Sequence, residues 1–295
     1  MAFKVEITNP DRVLFPDDGI TKGDLVDYYA EVADVMLPHV KGRPLTLWRY
    51  PRGIDQQGFV QQDFADAMPD WMSSAEVAKE NGTVVHPVAD RREALVWLAN
   101  QNCITPHAWL SRRDRLDEPD QVIFDLDPST NDFATVRATA RALADVLDDL
   151  GLAPFLKTTG SRGLHVVTPI SRGPDYDTVR RFARDVARVV ADDEPAHRTV
   201  EQRKAKRGDR VYLDVMRNAY AQTAVSPYAV RARRGAPVAT PLEWDELDRR
   251  GLRADRFTIR DIPKRIAENG DPWADLQRRA RSLTRPAQRL AKIRA

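Results

Sequence analysis

The sequence has few of the residues that mark several common classes of protein. It contains one cysteine, Cys103, so it cannot form an intrachain disulfide framework or a cysteine-rich zinc site. No apolar run approaches the roughly 18 residues that a membrane-spanning helix needs. The N-terminal residues lack the basic segment followed by an apolar block that is typical of a secretion signal. These absences predict a soluble intracellular protein.

Charge is nearly balanced over the 295 residues but unevenly distributed, with 46 Lys and Arg against 44 Asp and Glu. Between residues 197 and 235 there are ten basic residues and three acidic ones, and residues 273–295 hold seven basic residues and one acidic one. The arginine fork suits phosphate, although a GC-rich genome would give the same arginine bias. The pattern favours a nucleotide or nucleic acid as partner.

The hydrophobic pattern predicts strands that alternate with helices, together with one hairpin. A first helix is expected from Gly23 to about Leu37, capped by Thr21 with Asp24. Later helices are expected over 133–150, where Gly151 ends the helix, and over about 176–191. Strands are expected over 121–127, 154–159, 164–168 and 210–216, and mostly helical structure beyond Pro241. This order indicates an α/β or α+β fold with a mixed sheet.

Three aspartates are candidates for chemistry. Asp125 and Asp127 are two residues apart on a predicted strand, so their side chains share a face and lie roughly 6–7 Å apart. Such carboxylates repel unless a cation lies between them, and hard oxygen donors select magnesium or manganese. Asp214 lies in an otherwise apolar strand and could complete a two-metal site. The alternatives are two surface acids at a strand end, and a salt bridge from Asp214 to Arg210 or Arg217.

The segment from Thr159 to His165, Thr-Gly-Ser-Arg-Gly-Leu-His, is a second candidate. Its two glycines flank Ser161 and Arg162 in a tight turn, whose backbone N–H groups could form an anion-binding nest. The two hydroxyls, Arg162 and His165 could meet phosphate oxygens. An ordinary hairpin turn and a structural histidine are the alternative interpretations.

The string from Val122 to Ser129 also resembles the signature of haloacid-dehalogenase phosphatases, in which the first Asp is a nucleophile and the second a general acid. Members of that family usually begin with this motif and continue it with Gly-Thr. Here the motif lies deep in the chain and continues with Pro128-Ser129.

Taken in order, the motifs resemble the polymerase domain of bacterial ligase D, a branch of the archaeo-eukaryotic primase superfamily. The resemblance covers nearly the whole chain, and the joint order of the motifs makes it specific. The matching strings are residues 9–16, Thr21-Lys22, Asp27-Tyr-Tyr29, Arg49-Tyr-Pro-Arg-Gly53, Asn100-Gln101, His107, Phe124-Asp-Leu-Asp-Pro128, Thr159-Gly-Ser-Arg-Gly-Leu-His165, Tyr212-Leu-Asp214, Arg217-Asn218 and Ser226-Pro-Tyr-Ala-Val-Arg231.

The resemblance implies a primase-polymerase core with an RRM-like half, flanked by N- and C-terminal helical elements. It is expected to be one domain over 1–295, with an N-terminal lobe (1–110), a catalytic lobe (111–240) and a helical C-terminal cap (241–295). The implied activity is template-directed nucleotidyl transfer that fills short gaps and extends ends in non-homologous end joining, with ready use of ribonucleotides.

The resemblance also implies roles for individual residues. Asp125, Asp127 and Asp214 would hold two Mn²⁺ or Mg²⁺ ions. The incoming NTP or dNTP would contact His107, Thr159, Ser161, Arg162, His165, Arg217 and Arg231. Arg12 and Lys22 would bind the 5′-phosphate of the downstream strand, close to the free N–H groups at the start of the first helix. The template would contact Arg49, Phe59 and Lys204.

Some features depart from the family pattern. A Phe-Phe pair followed by lysine is common where this chain has Phe59-Val-Gln-Gln62, so one stacking surface and one charge are missing. Arg12 and Arg162 stand where lysine is common. The chain has no Lys-x-Asp-Gly adenylation motif, so it is either a stand-alone relative or an excised domain. If it stands alone, we expect sealing by a separate ligase and recruitment by Ku. The expected location is the bacterial cytoplasm, in association with the nucleoid.

A non-catalytic protein that binds DNA ends is the alternative from another functional class. The basic stretches would serve it equally well. It has no use, however, for three aspartates at metal-binding spacing.

Overall fold

The computed structural model describes residues 5–65 and 67–294. Its strands are β1 (Val13–Phe15), β2 (Ile20–Thr21), β3 (Leu45–Arg49), β4 (Phe59–Gln61), β5 (Ser73–Lys79), β6 (Gly82–Val88), β7 (Cys103–Trp109), β8 (Gln121–Pro128), β9 (Phe155–Thr158), β10 (Leu164–Pro169), β11 (Arg198–Thr199), β12 (Val211–Asp214), β13 (Thr223–Val225) and β14 (Pro241–Leu242). Its helices are α1 (Lys22–Glu31), α2 (Ala33–Val40), α3 (Arg92–Asn100), α4 (Phe133–Leu150), α5 (Tyr176–Asp193), α6 (Ile262–Asn269) and α7 (Thr284–Ile293). The predicted mixed α/β class is confirmed. Within the described ranges, every helix is too short or too polar to cross a membrane.

The chain folds as two compact units, each built from segments that are distant in sequence. Unit 1 contains the described residues up to Asp114, with Thr223–Thr240 and Phe257–Asp271. Unit 2 contains Arg115–Gln222 and Pro241–Arg256, with the described residues from Pro272 onward. The predicted lobes, by contrast, are contiguous in sequence, and that division stays a prediction.

Unit 1 is organised around a four-stranded sheet in the order β13-β7-β3-β4. The predicted capping box at the start of α1 is confirmed, since Thr21 and Asp24 each accept a backbone N–H of the other. The prediction of one helix from Gly23 to Leu37 is wrong, because the chain leaves helical geometry at Val32 and α2 follows. Val32 and Met36 are both fully buried, so the apolar stripe runs through the break and hides it from a periodicity argument.

Unit 2 is organised around a six-stranded sheet in the order β11-β12-β8-β10-β9-β14. The central strand β8 is antiparallel to both of its neighbours, β10 and β12. The predicted α4 is confirmed: the Asp132 side chain caps its first turn, and Gly151 ends it with a φ of 83°. The predicted strand over 210–216 is shorter, because the chain turns out of the sheet after Asp214 into a 3₁₀ turn at Met216–Asn218.

The two faces of β8 differ in chemistry. Phe124 and Leu126 are fully buried, whereas Asp125 and Asp127 are half-buried. Both long helices, α4 and α5, contact β8, and each buries an apolar stripe. Because side chains alternate across a strand, the helices cover one face and the aspartates occupy the other.

Gly163 allows the turn between β9 and β10 to lie against β8. A Cβ atom at this position would be 2.0 Å from the carbonyl oxygen of Leu126 and 3.0 Å from its carbonyl carbon. Both of those atoms belong to the backbone between Asp125 and Asp127. Any side chain at residue 163 must therefore displace either the turn or the strand that carries the acids.

We expect Gly163→Ala to lower the free energy of unfolding by roughly 1–3 kcal/mol, because the backbone must move to admit the methyl group. Urea denaturation measures the change. Ser161→Ala, in the same turn, is the matched control and should cost less than about 0.5 kcal/mol. Equal midpoints for the two variants would show that the strands are not packed as closely as described.

Candidate functional site

The strand register of unit 2 gathers the three predicted aspartates on one face of the sheet. Asp214 lies directly opposite Asp125 in the β12–β8 pair, and His165 lies opposite Asp125 in the β10–β8 pair. Asp127 follows two residues along β8, opposite Tyr212. Residues that are opposite on antiparallel strands point to the same side. Asp214, Asp125 and His165 therefore form a row across three strands, with Asp127 beside it.

Asp214 ends β12 and is held by its own chain. Its Oδ1 accepts hydrogen bonds from the Met216 N–H (2.8 Å) and the Tyr212 hydroxyl (3.3 Å). Burial raises the pKa of Asp214, and the charge of Asp125 raises it further. Among the described residues no ion pair joins Asp214 to Arg210 or Arg217, so the salt-bridge alternative is wrong. Arg217 instead lies 3.9 Å from Asp125, measured between Nε and Oδ2.

Asp127 is held by two arginines. Its Oδ1 is 3.1 Å from a terminal nitrogen of Arg162, and its Oδ2 is 3.1 Å from one of Arg207. Arg162 comes from the turn after β9, as the sequence suggested, whereas Arg207 was not predicted. The guanidinium of Arg207 also lies 3.9 Å from the centre of the Tyr212 ring. Its irregular segment has no periodicity, and one arginine of many in a basic stretch could not be singled out from the sequence.

His165 is buried, with 3% of its surface exposed. Burial, followed by the positive charge of Lys157, lowers the pKa of His165 to about 4, so the ring is neutral at pH 7. Its Nε2 is 3.5 Å from Asp125 Oδ2. Its Nδ1 is buried and has no hydrogen-bond partner among the described residues, which is costly unless a ligand supplies one.

Lys157 is a second residue that sequence reasoning missed. It is 1% exposed and lies opposite His165 in the β9–β10 pair, so it extends the row of polar residues to a fourth strand. The sequence contains a signal for Lys157. A lysine stands within the mostly apolar residues 155–158 of a predicted strand, where a charged side chain is unexpected. A buried ammonium group here places positive charge beside the carboxylates.

The turn from Thr159 to Gly163 is stabilised by its own hydrogen bonds. The Thr159 hydroxyl donates to the Gly163 carbonyl oxygen (2.9 Å) and accepts from the Gly163 N–H (3.3 Å). One N–H of the predicted anion nest is therefore already used within the turn. Ser161 is half-buried and Arg162 exposed at the tip of the turn.

Asn218 fixes the end of the sheet behind this site. It is fully buried, and its side-chain amide accepts the Ile123 N–H (2.9 Å) and donates to the Ile123 carbonyl (2.7 Å). This amide pairs with β8 as a further strand residue would, so the ladder continues after β12 has ended. The chain can then turn and bring Arg217 back to Asp125.

The donor chemistry of the three aspartates fits the divalent ions that the resemblance implies. They supply hard oxygen ligands. The raised pKa of Asp214 means that its negative charge is unfavourable where it lies, and a neighbouring cation would stabilise that charge. In the arrangement described, however, no three His, Cys, Asp or Glu side chains in the described ranges are close enough to hold an ion. Asp127 would have to leave its two arginines to become a ligand.

In unit 1, Arg12 and Lys22 lie close together with Arg49. Lys22 is 2% exposed, and its Nζ donates to the backbone oxygen (2.5 Å) and the hydroxyl (3.0 Å) of Thr8. Burial lowers the pKa of Lys22, and the charges of Arg12 and Arg49 lower it further. Three cations in mutual repulsion indicate a place where an anion would be stabilised.

The expectation of free N–H groups at the start of α1 is wrong. The N–H of Lys22 donates to the Arg12 carbonyl, and that of Gly23 to the Pro10 carbonyl, both at 2.8 Å. The N–H of Asp24 donates to the Thr21 hydroxyl. The loop before β1 therefore occupies the helix start. The same backbone contact brings Arg12 to Lys22, so an anion would depend on the side chains.

The remaining predicted contacts are divided between the units. In unit 1, Arg49 donates to the Gln101 carbonyl and lies 5.4 Å from the centre of the exposed Phe59 ring. His107, also in unit 1, lies opposite Val225 on β13. Arg231 belongs to unit 1 as well, and its N–H donates to Pro237. Lys204 is exposed in unit 2. Their roles stay predictions.

Comparison with known proteins agrees with this architecture. A family model described as LigD, primase-polymerase domain, matches residues 21–273. A solved structure, the polymerase domain from Mycobacterium tuberculosis ligase D in complex with DNA, superposes with a TM-score of 0.89 at 36% identity. That match covers 94% of this chain and 99% of the other.

Two curated relatives show the same similarity over part of their length. The multifunctional non-homologous end joining DNA repair protein LigD of M. tuberculosis H37Rv is 37% identical over 277 residues, which cover 91% of this chain and 36% of that protein. The bifunctional non-homologous end joining protein LigD of Bacillus subtilis is 31% identical, covering 93% of this chain and 44% of that protein. This chain thus spans less than half the length of these relatives. The phosphatase alternative is wrong: the chain belongs to the LigD primase-polymerase domain family.

Proposed function

We propose that this chain is a template-directed nucleotidyltransferase that extends the 3′ end of a DNA strand across short gaps during non-homologous end joining. The observation that carries the proposal is the row of Asp214, Asp125 and His165 across three strands, with Asp127 beside it. Family membership supports it, since the relatives are named as end-joining proteins. The reaction joins a primer 3′-oxygen to the α-phosphate of a nucleoside triphosphate and releases pyrophosphate.

The aspartates would hold the metal in this reaction. Asp125 and Asp214 already face one another, and Asp127 would join them when its arginines turn to the substrate. Two bound Mn²⁺ or Mg²⁺ ions would lower the pKa of the primer hydroxyl and neutralise charge on the leaving pyrophosphate. The chain itself then needs no general base.

The basic side chains would receive the triphosphate. Arg162 and Arg207 are now paired with Asp127, and a polyanion together with metal offers each of them an exchange of partners. Arginine suits this exchange because its fork binds phosphate and carboxylate in the same planar geometry. Thr159, Ser161 and Arg217 are proposed as further contacts, as are His107 and Arg231 of the other unit.

His165 would act as a neutral hydrogen-bonding group. With a pKa of about 4 it carries no charge at pH 7, and its buried Nδ1 has no hydrogen-bond partner among the described residues. The neutral ring carries a single N–H, so it can donate one hydrogen bond, either to Asp125 or to a phosphate oxygen, and it leaves the carboxylate charged for the metal. This role differs from that of the arginines, which supply charge.

The DNA substrate is proposed on two grounds. The similar solved structure is in complex with DNA, and unit 1 of this chain gathers three cations at Arg12, Lys22 and Arg49. We propose that Arg12 and Lys22 bind the 5′-phosphate of the downstream strand, and that Arg49, Phe59 and Lys204 contact the template. The use of ribonucleotides, recruitment by Ku and sealing of the filled gap by a DNA ligase are proposed from the resemblance.

We expect Asp127→Ala to reduce primer extension at least about 10³-fold while DNA binding is retained. Loss of a carboxylate ligand removes several kcal/mol of charge stabilisation in the transition state. The assay is extension of a labelled primer across a short gap with Mn²⁺ and either ribo- or deoxynucleotides.

Asp209→Ala is the matched control, because it removes one acid from an exposed position in the same basic stretch. It should extend the primer within about twofold of the wild type. Extension by Asp127→Ala within tenfold of wild type at saturating manganese would contradict the catalytic assignment. Tight DNA binding without any extension by the wild type would favour the non-catalytic end binder.

A second prediction concerns the cation cluster of unit 1. We expect the wild type to bind a gapped duplex with a 5′-phosphate more tightly than the same duplex with a 5′-hydroxyl, because the terminal phosphate adds negative charge that the hydroxyl lacks. The double change Arg12→Ala with Lys22→Met should abolish the difference, since each charge-assisted contact contributes roughly 1.5–3 kcal/mol. Methionine keeps the buried stem of Lys22.

Fluorescence anisotropy at matched salt measures these affinities. Arg92→Ala removes an exposed arginine of α3 in the same unit and should preserve the preference for the phosphate. Equal affinity of the wild type for the two duplexes would disprove the 5′-phosphate pocket. Extension of a primer without a downstream strand should change little in the double variant.

A further inference from the structure

Unit 2 has a groove of about 780 Å³ between α5 and the segment 199–203. One wall is the side of α5 next to its buried stripe, and the other is the chain that follows β11. The floor is formed by Leu213, Val215 and Met216 at the end of β12. None of the residues that line this groove was among the predicted site residues.

The walls of the groove are strongly basic. Arg180, Arg184 and Arg188 line it from α5, and Arg203 lines it from the opposite wall. Positions four apart on a helix form one row, with a rise of about 6 Å between neighbours. Arg184 and Arg188 are exposed, and Arg180 is half-buried near the floor. Helix α5 therefore places three arginines at regular intervals along the groove.

Two acids moderate this charge without cancelling it. Glu201 lies in the second wall, where its carboxylate accepts the N–H of Arg203 at 2.9 Å. Asp185 lies 3.8 Å from Arg188, but it is also paired with Arg294 at 2.7 Å. The four lining arginines thus face one lining acid.

Polar donors at the floor have a poor acceptor. A terminal nitrogen of Arg180 and the side-chain amide of Gln202 both donate to the Met216 sulfur, at 3.2 and 3.3 Å. The Nε of Arg180 is buried without a hydrogen-bond partner among the described residues. A thioether is a weak acceptor, so both donors would gain from an oxygen anion placed between them.

We propose that this groove binds the sugar–phosphate backbone of a single-stranded nucleic-acid segment. The arginine row and the poorly satisfied donors require an extended polyanion, and the apolar floor can contact sugars. The groove also adjoins the site, since Tyr212 lines it and donates to Asp214, and Met216 donates its N–H to the same carboxylate. The choice of nucleic acid over an acidic peptide rests on the proposed function.

The test is binding of a labelled oligothymidylate of about 20 nucleotides, without metal or nucleotide, measured by fluorescence anisotropy over a range of salt. We expect Arg184→Gln with Arg188→Gln to weaken binding roughly tenfold at low salt. The slope of log affinity against log salt should fall by about 1.4, or about 0.7 for each lost phosphate contact. Arg184→Gln alone, which leaves the Arg188–Asp185 contact intact, should lower the slope by about 0.7.

Arg181→Gln with Arg285→Gln is the matched control, because it removes two exposed arginines of the same unit that do not line the groove. This pair should bind within about twofold of the wild type. If the groove variant binds like the control, or if the wild type does not bind the single strand, the proposal is overturned. Failure of the wild type to bind the single strand is also the result expected if the groove binds an acidic peptide instead.

The result is independent of the polymerase assignment, because no nucleotide addition is measured. A wild type that fails to extend any primer, but loses single-strand affinity through the groove variant, would contradict the proposed function and leave the groove standing. Normal extension with unchanged single-strand binding in the groove variant would contradict the groove proposal and leave the proposed function standing.

Discussion

Carboxylates that face one another on adjacent strands repel, and the architecture around the site follows from the need to compensate that repulsion. Asp125 and Asp214 are directly opposite, and burial makes the proximity of two negative charges more costly. Positive charge surrounds them: Arg217 lies beside Asp125, and two arginines hold Asp127. Lys157 is buried one strand beyond His165. Apolar helices pack behind the sheet, and the Asn218 side chain hydrogen-bonds the β8 backbone at Ile123. These contacts keep the acids from moving apart.

The same physics acts in unit 1 with the opposite sign. Burial and the nearby charges of Arg12 and Arg49 lower the pKa of Lys22, and a backbone hydrogen bond from the Lys22 N–H to the Arg12 carbonyl joins two of the three residues. The aspartate cluster of unit 2 therefore calls for cations, while the cation cluster of unit 1 calls for an anion. The proposed nucleotidyl transfer at a broken strand would use both, since metal ions and a terminal phosphate would both be parts of the substrate complex.

The sequence predicted those features that depend on local pattern. The strand of alternating residues at Phe124–Asp127, the helix that ends at Gly151 and the capping box at Thr21 are each determined by neighbours in sequence. Residues that act through long-range contacts were not predictable. Arg207 reaches Asp127 from an irregular segment 80 positions away, and nothing local distinguishes it from nearby arginines. The break at Val32 was hidden because both helices bury the same stripe.

The central claim is that the aspartate cluster is a metal centre in which Asp127 exchanges two arginines for an ion. The most direct measurement is a crystal structure of the chain with Mn²⁺ and a non-hydrolysable nucleoside triphosphate, in which anomalous scattering locates the metal. The account predicts manganese peaks bounded by Asp125, Asp127 and Asp214, with Arg162 and Arg207 moved from Asp127 to the phosphates. Manganese bound elsewhere, or Asp127 still paired with both arginines beside a bound nucleotide, would contradict it.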